Sequence, residues 1–88
     1  MYKIVGVVKI TDKQIGVLEI KDPIFRWVSV NYNRDSGKLR LAIEFKEVVA
    51  THIRVFPFDI PEGENVDGSK LDLLMLSIPE LSGAAKVS

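Results

Sequence analysis

The chain has no cysteine, one histidine and one tryptophan. Without cysteine there can be no disulfide, no thiol nucleophile and no cysteine-based zinc site. The single histidine, His52, needs a catalytic partner. Strand alternation puts only Ala50 and Arg54 on its side, so it reads as structural or merely exposed. No apolar run approaches the roughly 20 residues of a membrane-spanning helix. No charged segment leads into a long apolar run, so no signal peptide is expected. Charge of one sign is not in excess either: 12 Lys and Arg balance 12 Asp and Glu. Balance of this kind argues against a dedicated duplex-DNA binder. Glycine-rich nucleotide loops, H-E-x-x-H, G-x-S-x-G and CxxC are all absent. The expectation is a soluble, cytoplasmic protein that is not an enzyme and carries no cofactor or metal.

What is there is one small domain. Its 88 residues are 47% apolar, enough for a compact core. Charges divide unevenly along the chain. Residues 1–44 hold eight basic and five acidic side chains, and residues 45–88 hold four and seven, so +3 faces −3. Such an asymmetry could favour head-to-tail contacts between copies; the plainer reading is that both halves mix in one fold.

The clearest pattern lies in residues 38–45, K-L-R-L-A-I-E-F. Leu39, Leu41, Ile43 and Phe45 alternate with Lys38, Arg40, Ala42 and Glu44. Period two makes this a strand with one buried and one wet face. Residues 24–32 before it are rich in β-branched and aromatic side chains. Between them, Asn33-Arg34-Asp35-Ser36-Gly37 has the composition of a hairpin loop.

Residues 2–10 also read as a strand, with Gly6 marking a bulge or a close backbone approach. A polar turn over 11–14 leads to a second strand over 15–20, and the two should form a hairpin. Lys21-Asp22-Pro23 ends it, and Pro23 should hold Asp22 in extended geometry. After Phe45, Lys46-Glu47 is an unusual turn; a bulged strand or one helical turn is the alternative. A further strand is expected over 48–56, with Pro57 and Pro61 taking the chain out of the sheet. Residues 62–69 form a polar loop. Residues 70–78 fit a helical stripe at Leu71, Leu74, Met75 and Ile78. Leu73 and Leu76, on the other face, and the β character of the rest favour a strand over a helix there. Residues 82–88 form a flexible tail beyond a single domain at 1–81. About six short strands argue a small antiparallel β-sandwich or barrel, with one short C-terminal helix as the variant.

Two clusters could carry binding. Asp59, Glu62, Glu64, Asp67 and Asp72 offer oxygens to a hard cation. The calcium-loop template fails, however: Gly63 stands where an Asp is needed and Leu74 where the closing Glu belongs. A solvated acidic loop is the expectation. Arg26, Trp27, Tyr32, Arg34, Lys38 and Arg40 interleave basic and aromatic residues, as single-stranded nucleic acid requires. Strict alternation puts Arg26 and Tyr32 on one face, Phe25 and Trp27 on the other, and one of those faces must be core. The functional expectation is a non-enzymatic protein-binding or self-assembling β module. Its partner is a protein, first of all a second copy, and not a membrane. The alternative is a single-stranded nucleic-acid binder on an OB-like barrel.

Overall fold

The alternation at residues 38–45 sets the middle of the molecule. In a computed structural model, which describes residues 1–12 and 16–87, Leu39, Leu41, Ile43 and Phe45 are all 0% exposed. They lie on β5 (Lys38–Lys46). The other elements, in chain order, are β1 (Tyr2–Lys3), β2 (Val7–Asp12), β3 (Gly16–Lys21), β4 (Ile24–Asn33) and β6 (Thr51–Asp59). Helix α1 (Gly68–Leu76), a 3-10 turn (Pro79–Leu81) and β7 (Ala85–Lys86) follow. The strands form a five-stranded sheet in the order β6-β5-β4-β1-β7 and a two-stranded ribbon, β2-β3. All pairings are antiparallel. The fold is all-β with one short helix, and the sheet does not close into a barrel.

One face of the sheet is covered. Leu71 and Met75 of α1 pack onto it, as do Val8, Ile10 and Ile20 of the ribbon and Leu81 of the 3-10 turn. Stacked layers lie about 10 Å apart. The molecular extents of 39 × 33 × 19 Å therefore leave room for two layers and no third. The opposite face of the sheet is open to solvent.

The hairpin β4-β5 forms where expected, with Asn33 opposite Lys38. Asn33 holds its loop by accepting the Asp35 N–H at 2.9 Å. Gly37 closes it with φ at 71°, and an added Cβ would lie 2.9 Å from the Ile60 carbonyl oxygen. Only glycine fits a backbone that is both left-handed and this crowded. The β2-β3 hairpin forms too. Lys13, Gln14 and Ile15, in the turn and second strand expected there, lie outside the described residues.

Five expectations change. First, residues 2–10 are not one strand. Gly6, at φ 121°, breaks it, and β1 and β2 join different sheets. Second, Asp22 is not extended but left-handed, with φ at 47°. Its carboxylate accepts the Gly6 N–H at 2.6 Å, and its own N–H donates to the Gly6 carbonyl at 2.7 Å. Aspartate is among the few non-glycine residues that tolerate this conformation, and the two bonds cross-link the ends of the ribbon.

Third, the sixth strand starts at Thr51 rather than 48, after a tight turn closed by the Glu47 N–H on the Ala50 carbonyl at 2.8 Å. Fourth, Pro57 stays in the sheet, opposite Arg40. The Ile60 N–H donates to the Gly37 carbonyl at 2.8 Å. Stepping back by twos, the even residues of β6 bond to β5, and the odd ones turn their N–H and C=O to the free edge. Pro57 is odd, so its missing N–H breaks no ladder bond.

Fifth, the segment expected as a strand over 70–78 is instead a helix over Gly68–Leu76. The Asp67 side chain caps α1 by accepting the Lys70 N–H at 2.9 Å. Leu71 and Met75, four apart, share the buried face, while Leu73 points out at 67% exposure. At the C-terminus, β7 pairs with β1, Lys86 opposite Tyr2 and Ala85 opposite Lys3.

Candidate functional site

The five-stranded sheet leaves one of its faces open to solvent. Its residues follow from the register. Ile24 and Lys46 pair, and Lys46 pairs onward with Thr51; Arg26, Glu44 and Ile53 make the next row. Ser29, Ala42 and Val55 follow, and then Asn31, Arg40 and Pro57. Val55 is 57% exposed and Ile53 52%. They make an apolar centre with Ala42. Their signal was in the sequence: Thr51, Ile53 and Val55 alternate on one face while Phe56 and Phe58 fall on the other, so the strand is apolar on both faces, more than a one-sided strand needs.

Basic side chains ring this centre. Lys3, Arg26, Lys38, Arg40 and Lys46 lie on the open face, with Glu44 and Asp59 as its acids. Glu44 draws Arg26 to 3.5 Å and Lys46 to 3.6 Å. Asp59 holds Lys38 at 2.6 Å. Five cations against two acids leave +3. Exposed pairs of this kind add little stability, but the summed charge sets which surfaces the face attracts.

The basic and aromatic residues singled out in the sequence are divided by the fold. Arg26, Lys38 and Arg40 share the open face. Trp27 and Tyr32 lie on the covered side. The cause is a β-bulge between Trp27 and Ser29, where Val28 is the extra residue. Strict alternation would have put Tyr32 beside Arg26. The bulge returns Val30 and Tyr32 to the side of Phe25 and Trp27, opposite Leu41 and Leu39. Trp27 donates its indole N–H to Asp72 of α1 at 2.8 Å, a part-buried bond that ties the helix to the sheet. Arg34 sits in the hairpin loop. With Tyr32, Asp35, Glu62 and Glu64 it lines a half-open cleft of about 670 Å³.

The acidic cluster is dispersed in the same way. Asp59 pairs with Lys38, Glu64 with Lys70 at 2.7 Å, Asp67 caps the helix and Asp72 takes Trp27. Among the described residues, no group of three or more His, Asp or Glu could hold a metal ion. His52 lies opposite Phe45, with Glu47 at 3.9 Å. Glu47 also accepts the Lys21 N–H at 3.0 Å, joining the β5-β6 turn to the ribbon.

The free edge of β6 is guarded. Pro57 offers no N–H there, and the Arg54 guanidinium covers the Ile53 carbonyl at 2.8 Å. Both features oppose addition of another strand. No helix among the described residues is long and apolar enough to cross a membrane. No protein-family model, curated protein or solved structure matches the chain.

Proposed function

We propose that this chain is a non-enzymatic protein-binding module that assembles with copies of itself. The observation that carries the reading is the open face of the five-stranded sheet. Its centre holds Ile53 and Val55, each more than half exposed, in a plate only 19 Å thick. Contact with another protein is the common way to cover such a face. Small size points the same way, since a chain of this length buries a modest share of its surface alone.

The test is the mass in solution, by sedimentation or light scattering, across a wide concentration range. A concentration-dependent oligomer that persists at moderate salt is expected, because apolar contacts are screened little. A monomer at the highest concentrations would remove the reading.

Single-stranded nucleic acid is the second reading, favoured by Arg26, Lys38 and Arg40 on one open face. The stacking aromatics it calls for, Trp27 and Tyr32, are on the other side. The expected affinity for a short single strand is therefore no tighter than about 10⁻⁵ M. If the cations do contact phosphates, binding should fall with salt at a slope of about −0.7 per contact.

A further inference from the structure

The plate has two unlike faces. Against the +3 of the open sheet face stands the layer built by residues 60–81. Its outward groups are Glu62, Glu64, Asp67 and Glu80 with Lys70 as their single cation, a net charge of −3, while Asp72 turns inward to Trp27. α1 packs on the covered side of β4 and β5, which puts this acidic layer on the far side of the molecule from the basic face. Each face also has an apolar centre: Ile53 and Val55 on the sheet, Leu73 on the helix at 67% exposure.

We propose that copies stack head to tail, the basic sheet face of one against the acidic helix face of the next. This rests on the self-assembly reading and names its interface. Charge selects the arrangement. Sheet face against sheet face would bring +3 onto +3, and helix face against helix face −3 onto −3. The unlike pairing brings opposite signs together around two apolar centres. The free edge of β6 is guarded by Pro57 and Arg54, so the contact is made through faces and not by extending the sheet. Two different surfaces meet, so the contact is heterologous. It builds a ring if the rotation closes and a filament if it does not.

Charge reversal tests it with residues that make no ion pair among the described residues. One variant carries Lys3→Glu and Arg40→Glu on the sheet face. The other carries Glu62→Lys and Glu80→Lys on the helix side. All four side chains are exposed, so both variants should melt close to the parent chain, and thermal unfolding checks this. Each variant alone should self-associate at least about tenfold more weakly, the factor that goes with roughly 1.4 kcal/mol. Mixed in equal amounts they should assemble again, in alternation, because both contacts then pair opposite charges. If neither variant alone is weakened, or the mixture stays dissociated, the head-to-tail interface is wrong even though the parent chain assembles. If only the sheet-face variant changes and mixing rescues nothing, a symmetric dimer through that face replaces it. A monomeric parent chain overturns this interface and the self-assembly reading together.

Discussion

The β4-β5-β6 meander and the β2-β3 ribbon use similar Val, Ile and Leu alternation, but they are secured differently. In the meander, β5 is paired along its whole length on both sides. Its four inward residues are all 0% exposed. Among the described residues, the ribbon has no strand on either edge. Val8, Ile10 and Ile20 face the core, yet Val7 and Val17 on its outer side are more than half exposed. A two-stranded hairpin is marginal by itself. This one is held by its inward residues and by polar ties at one end, Asp22 to Gly6 and Lys21 to Glu47. Stability is thus expected to be uneven: the meander should open only with global unfolding, the ribbon by local release.

The largest effect should come from the meander. Leu41→Ala removes a fully buried side chain, and denaturant unfolding should show a loss of roughly 2–5 kcal/mol. A loss near zero would mean that β5 is in another register, since a one-residue slip exchanges its faces. Asp22→Ala should come next, at about 1–3 kcal/mol, from a left-handed backbone that alanine disfavours and the lost Gly6 bond. Hydrogen exchange should localise that loss to β2 and β3, with β4-β6 still protected. Asp22→Asn, which keeps both the acceptor and the tolerance for this backbone, should lose less. Uniform deprotection of both sheets would erase the contrast between the regions.

Trp27→Phe removes the donor to Asp72 while keeping most of the apolar ring. Unfolding should register about 0.5–1.5 kcal/mol, near the net worth of one hydrogen bond. The quenching environment of the lone tryptophan gives an independent view of helix docking in the parent chain. Smallest is Arg40→Ala on the open face, expected to shift stability by less than about 0.5 kcal/mol. If it costs as much as Leu41→Ala, the two faces of β5 are wrongly assigned.

The candidate site was legible only in pieces. Lys38 and Arg40 could be assigned to the wet face of β5 because they alternate with Leu39 and Leu41. That Arg26 joins them and parts from Tyr32 could not, because a single extra residue at Val28 reverses every side chain beyond it. The acidic residues looked like one cluster along the chain. In space four of the five are drawn to separate partners, a lysine, a helix end or an indole N–H, and Glu62 makes no ion pair among the described residues.

Local alternation determined the β4-β5 hairpin, its loop and the inward set Leu39, Leu41, Ile43 and Phe45. Period two is written in neighbouring residues and needs nothing else to be read. The tertiary structure decided what that local pattern left open. Residues 68–76 are too few for a helix to be stable by propensity. They became one because Leu71 and Met75 find the covered face of the sheet while Asp67 caps the first turn. Pro57 remained in a strand because β6 has a partner on one side only. The chain broke at Gly6 because Asp22, sixteen residues away, supplies both the acceptor and the donor that hold the break. In each case the choice between conformations close in local energy was made by a partner distant in sequence, which no local pattern records.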